Sequence, residues 1–162
     1  MPLEPADQKH LTTAEGYAEL GMWLDANAEL EEIDSEVRHV PAVLEVRVQI
    51  YRALEKWELM QAVAKQLALH DPQEPQWTAL WAYATRRADS IEHARIILVN
   101  AIERLPNVAI FHYNLACYEC QLGDLEKAKV TLRRAFKLQP QYCVMALDDE
   151  DLKPLWDSIV EI

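Results

Sequence analysis

Cys117 and Cys120 lie three residues apart within "NLACYECQLGD", a spacing that zinc ligands and redox thiols share. A redox thiol in this spacing is activated at a helix N-terminus or beside a cation, and zinc requires four converging ligands. A second set of reactive types is Arg52, Arg86 and Arg87, interleaved with Tyr83 and Tyr113. Guanidinium forks grip carboxylates in bidentate fashion, and tyrosine adds rigid contact area, chemistry that serves binding if the fold brings these side chains together. Which chemistry applies depends on the segments that carry these side chains.

Composition narrows the choice. With 162 residues, 51% of them apolar, the chain can bury a real core without help from a cofactor, and none is expected. Only three glycines occur (Gly16, Gly21, Gly123) and only three serines, so nothing resembles a phosphate-binding glycine loop or a nucleophile elbow. No apolar run approaches the ~20 residues that span a bilayer, and the start "MPLEPADQKH" has no basic region followed by an apolar stretch. Three cysteines do not make a secreted disulfide framework and fit a reducing compartment, so a cytoplasmic location is expected. Residues 1–40 carry ten acids and two bases, 41–140 eleven and thirteen, and 141–162 six and one, for sums of −8, +2 and −5. Acidic ends repel phosphate backbones, which disfavours duplex nucleic acid as a partner; no membrane partner is expected either.

The elements that position these residues repeat. Pro72, Pro106 and Pro140 are spaced by 34 residues and each closes an apolar helical pattern. Blocks starting at Asp7, Pro41, Pro75 and Ala109 align Ala14, Val48, Ala82 and Ala116 at place eight. Place twenty holds Ala26, Met60, Ala94 and Ala128; place twenty-four holds Leu30, Ala64, Leu98 and Leu132; place twenty-seven holds Ile33, Leu67, Ala101 and Ala135. Steps of three and four put these on one helical stripe, and the small members allow close approach of a neighbouring helix. Gly21 and Gly123 occupy the turn at place fifteen, where positive φ ends a helix; Glu55 and Asp89 stand there in the middle blocks, whose turns are expected to close by another route. Each block reads as a helix hairpin that buries its apolar faces only by stacking on its neighbours.

With alanines at places 8, 20 and 27 and proline at 32, the pattern resembles the tetratricopeptide repeat (TPR), most closely in "AIFHYNLACYECQLGDLEKAKVTLRRAFKLQP". The first block has Arg38 where the proline is usual. The resemblance implies an all-α superhelix, a solenoid of four hairpins at about residues 7–40, 41–74, 75–108 and 109–142, forming a single domain over 1–162. After the last block, Leu152, Leu155, Trp156, Ile159 and Val160 recur at helical steps behind the acids of "DDED". A capping helix is expected at about 148–161, covering the apolar side of the last hairpin and turning its acids outward.

In this frame Cys117 and Cys120 fall in mid-helix, beyond the reach of the helix dipole, and His112 points ~140° away from Cys117 around the helix. They read as small polarizable packing residues, with a thiol or metal site at Cys117/Cys120 as the remote alternative. His10 and His112 share place four and read as packed rings with a satisfied nitrogen. Trp77 and Trp81, one turn apart, read as core or as a stacking platform.

The resemblance further implies a concave groove lined by places 2, 5, 9, 12 and 13 of each first helix. Carried over, it names Gln49, Arg52, Tyr83, Arg86, Arg87, Tyr113, Cys117 and Gln121 as the binding surface, beside carboxylates such as Glu15, Glu19 and Glu45 at the N-terminal end. The expected function is a non-enzymatic protein–protein scaffold or adaptor that binds an acidic or carboxylate-ended peptide. Two readings compete with it: the arginines pair only with Glu119, Glu45 or neighbouring acids, or the protein is a homo-oligomerising structural repeat. The lysine and asparagine pattern that binds chaperone tails in one TPR subgroup is absent from the aligned places.

Overall fold

The computed structural model describes residues 3–162. Four helix hairpins follow one another along the chain: α1 (Pro5–Glu19) with α2 (Trp23–Glu32), α3 (Pro41–Ala53) with α4 (Trp57–His70), α5 (Pro75–Ala88) with α6 (Ile91–Arg104), and α7 (Ala109–Gln121) with α8 (Leu125–Leu138). A short α9 (Tyr142–Ala146) and a 3-10 segment, Glu150–Glu161, complete the chain. No strand occurs among the described residues, and none of their helices is long and apolar enough to cross a membrane.

The aligned columns are the core. Every residue of places 8, 20, 24 and 27 is at most 1% exposed, from Ala14 and Ala26 in the first hairpin to Ala116 and Ala135 in the last. Alanine at these places lets consecutive helices approach closely, while Leu98, Leu132 and Phe111 fill the wider gaps. Proline opens α1, α3 and α5 at the first turn, where its missing N–H leaves no bond unmade. Ser90 caps α6 by accepting from the His93 N–H at 3.2 Å.

One turn departs from expectation. Gly21 (φ 72°) and Gly123 (φ 84°) take the left-handed conformation as anticipated, but Glu55 adopts it too (φ 54°), so the second hairpin closes by the glycine route without glycine. Asp89 does close differently, with φ −131°. A side chain at left-handed φ is strained, so Glu55→Gly should stabilise the protein by about 0.5–1 kcal/mol, after the added chain entropy of glycine is allowed for. A urea midpoint unchanged or lowered in the variant contradicts this.

The first hairpin ends early. Where the other blocks have proline, Arg38 turns back on α2, its Nε donating to the Ile33 carbonyl at 2.6 Å and its guanidinium bonding the Glu31 carbonyl and carboxylate. An arginine placed there satisfies the last carbonyls of a short helix and complements its dipole.

The expected C-terminal capping helix is present at Glu150–Glu161, but only some of its leading acids face solvent. It is a 3-10 helix containing Pro154, which has no N–H to donate. Leu152, Leu155 and Ile159 join the core of α7 and α8 as anticipated. Asp148 and Glu150 stay exposed, whereas Asp149 and Asp151 turn inward, Asp149 toward Tyr113 and Cys117 of α7 and Asp151 toward Arg86 of α5.

Candidate functional site

The first helices α1, α3, α5 and α7 line an open channel made of two adjoining pockets that have Gln49 in common. The N-terminal stretch, about 440 Å³, has Glu15, Glu19 and Glu45 on its walls and Ala18, Ala42, Val46 and Trp77 beneath. None of these three carboxylates has a cation within ion-pair distance among the described residues. The middle stretch, about 590 Å³, combines Arg52, Tyr83, Gln76 and Asn114 with an apolar floor that includes Ala79, Leu80 and Ile110. Places 2, 5 and 9 account for much of this lining because residues spaced by three and four share one helix face. Place six, held by Val46, Leu80 and Asn114, lines it as well. A 2–6–9–13 spacing would have pointed to that column.

The arginines are held by aromatic faces. Arg52 lies 5.9 Å from the centre of the Tyr83 ring, Tyr83 meets Trp57 edge-on at 5.8 Å, and Arg87 lies over Trp57 at 4.5 Å. The ring quadrupoles attract the guanidiniums without using their N–H groups, which stay available to an acceptor. Glu119 and Glu45 do not pair with the arginines: Glu119 is buried and accepts from the Thr131 hydroxyl at 2.7 Å, and burial raises its pKa above the usual carboxylate value.

Beyond Tyr83 the channel is filled by the chain itself. Arg86 makes a two-pronged ion pair with Asp151, with Nη2 to Oδ1 at 2.8 Å and Nη1 to Oδ2 as the second contact. Tyr113 donates its hydroxyl to Asp149 Oδ2 at 2.8 Å, the Cys117 thiol donates to the same oxygen at 3.6 Å, and Gln121 Nε2 donates to the Asp151 carbonyl at 2.8 Å. The turn is braced internally, since Asp149 Oδ1 accepts from the Asp151 N–H (3.0 Å) and its carbonyl accepts from Trp156 Nε1 (3.2 Å). The eight side chains named from the sequence therefore divide. Gln49, Arg52 and Tyr83 line the open channel, Arg87 sits over Trp57, and Arg86, Tyr113, Cys117 and Gln121 surround one acidic turn.

Electrostatics match this geometry. The Asp151 carboxylate raises the pKa of Arg86, which also lies over the Tyr118 ring at 5.4 Å. Burial, then the bond to Asp149, pushes Tyr113 up. Burial pushes the Cys117 thiol far up, and Asp149 and Asp151 add to that rise. Cys117, Asp149 and Asp151 do converge, with one potential ligand atom from each within 4.8 Å of the others. Both Asp151 oxygens are already engaged by a guanidinium, and a thiol so disfavoured as thiolate is a poor ligand and a poor nucleophile. With Cys117 and Cys120 at 4% and 3% exposure and Cys143 half-buried, a native thiol titration should modify Cys143 first and the other two only on unfolding. Rapid native modification of Cys117 contradicts this.

The remaining ring residues are structural. His112 Nε2 lies 2.8 Å from the Pro106 carbonyl and must donate to it, and His10 Nδ1 is 2.8 Å from Glu29. Trp77 is buried in the core, whereas Trp81 is half-buried under Lys65 on another face.

The chain matches no model of a protein family and no curated protein. Solved structures of similar architecture include MamA MSR-1 C2 (TM-score 0.70, 19% identity, covering 82% of this chain and 76% of the other) and the MamA RS-1 ArsTM double mutant (TM-score 0.74, 13% identity, covering 86% and 79%). TTC0263, a thermophilic TPR protein in Thermus thermophilus, aligns with a TM-score of 0.64 at 18% identity, over 97% of this chain and 100% of its own. Sequential hairpins with small-residue columns buried between them, superposable on these chains, give the protein the tetratricopeptide-repeat fold.

Proposed function

We propose that this protein is a non-enzymatic scaffold whose channel holds an extended segment of a partner protein. The observation that carries this reading is the succession of two open pockets, with Gln49 in the wall of both, along the four first helices from Glu15 to Ile110. Gln49, Gln76 and Asn114 offer amides that can pair with an extended backbone, while Ala79, Leu80 and Ile110 accept apolar side chains. A rigid stack presents these groups without ordering them on binding, which limits the entropic cost.

The channel is polarised: Glu15, Glu19 and Glu45 stand at one end, and Arg52 over Tyr83 stands at the other, with Glu74 in the same wall and the Arg86–Asp151 pair beyond it. A matching segment is basic where it meets the glutamates and acidic where it approaches Arg52. Charge complementarity of this kind fixes orientation and suppresses wrong partners. Panning a random peptide library on the protein, then mapping a selected peptide by NMR shift perturbation, tests the reading. Perturbations at Gln49, Gln76, Tyr83 and Asn114, lost in Arg52→Glu for acidic-ended peptides, support it. Selected peptides that map to Trp81 and Ile96 on another face, or that map nowhere, overturn it.

A further inference from the structure

We propose that the Asp149–Asp151 turn is an exchangeable intramolecular ligand, occupying the acid-reading end of the channel until an Asp-x-Asp stretch of a partner protein replaces it. The proposal deepens the channel reading and rests on it. The contacts to this turn are those expected of a bound acidic peptide: a guanidinium fork on one carboxylate, a tyrosine hydroxyl on the other, and an amide on the main-chain carbonyl of Asp151.

The tail has two parts held by different forces. Leu152, Leu155 and Ile159 are 0–1% exposed and anchor it in the core of α7 and α8. The acidic head is held by polar contacts at a rim where the Arg86 and Asp151 side chains are 22% and 29% exposed. Lifting the head, an internal turn between buried Ala146 and Leu152, leaves both flanking residues in place and opens only its contacts to Tyr113, Cys117 and Gln121 of α7 and to Arg86 of α5. It would strand Arg86, which is why the head stays seated when no acid is offered. An incoming Asp-x-Asp returns the same bonds, so the exchange is close to balanced and leaves no charge unpaired.

Tethering sets the direction of the bias. A head joined by a few residues competes at an effective concentration of about millimolar, so free acidic segments bind with an apparent affinity reduced by the small fraction of open protein. Neutralising the head removes that competition without touching the anchor.

The test uses the full chain and a fluorescein-labelled peptide of residues 147–156, LDDEDLKPLW, read by anisotropy. The double variant Asp149→Asn, Asp151→Asn should bind it at least tenfold more tightly than the wild type, and adding Arg86→Gln should abolish the gain. Equal affinity in wild type and double variant, or a gain that survives Arg86→Gln, overturns the proposal. Should the double variant not fold, amide exchange of the wild type decides: the Asp151 and Leu152 amides should exchange at least tenfold faster on going from low salt to about 1 M salt, with α8 unchanged. Exchange of these amides at the rate of the α8 core overturns it. Library peptides that bind at Gln49 and Tyr83 beside an immobile head would leave the channel reading intact and remove only this one.

Discussion

Phe111→Ala is expected to cost about 3–5 kcal/mol, a large part of the stability of an ordinary domain. Phe111 is 0% exposed in α7 and belongs to the cluster that joins α7 and α8 to Leu98 of α6 and to the tail residues Leu152, Leu155 and Ile159. Truncation removes the ring's own transfer energy and leaves a cavity that helices fixed on several sides cannot close. α7 is unusual in this protein because Phe111, His112 and Tyr113 are buried and so is every residue from Leu115 to Cys120; the tail covers the face that α1, α3 and α5 leave open. The urea midpoint of the variant, at unchanged slope, gives the loss. A loss below about 1 kcal/mol would mean that α7 is not enclosed in this way.

Arg86→Glu is expected to destabilise by about 2–3 kcal/mol, less than a fully buried broken pair because the rim is partly exposed. The substitution removes the fork on Asp151 and puts a third carboxylate beside Asp149 and Asp151. It also strips the cation from the Tyr118 ring. The damage should be local first: amide protection in Glu150–Glu161 falls while α3 and α4 keep theirs. Arg86→Lys should restore part of the loss, since lysine returns the charge without the two-pronged geometry. Uniform loss of protection across the chain, with no rescue by lysine, would assign Arg86 a general packing role.

The fold was legible because it rests on local, periodic signals. Alanines at places 8, 20 and 27 and prolines 34 residues apart report helix packing directly, and the structure buries those columns almost completely. Legibility failed where a position is decided by its contacts rather than by its own residue preference. Glu55 takes a left-handed turn because its N–H bonds the Arg52 carbonyl (3.2 Å) and the Lys56 N–H the Tyr51 carbonyl (2.8 Å) to close α3, whatever the residue's own preference. Arg38 ends α2 through contacts to Ile33 and Glu31 that no propensity scale contains.

The site was half legible for the same reason. Helical periodicity puts Gln49 and Arg52 on one stripe of α3, and the resemblance to the TPR family is what implied that this stripe and Tyr83 of α5 share a groove. Seeing Arg86 and Tyr113 capped by Asp149 and Asp151 requires knowing that a segment 36 to 65 residues later folds back. One signal was available: the acid-rich "DDED" follows the only stretch of the chain with net positive charge, and opposite charges on neighbouring elements invite pairing. Reading those acids as the outward face of a capping helix concealed it.

A double-mutant cycle between Arg86→Ala and Asp151→Ala tests the central claim, that the arginine end of the channel is filled by the chain's own acidic turn. The two residues are 65 apart in sequence, so no local helix effect can couple them. The predicted result is a coupling free energy of at least about 1 kcal/mol at low salt, shrinking as salt is raised. Additive losses, with coupling indistinguishable from zero at every salt concentration, would contradict the account.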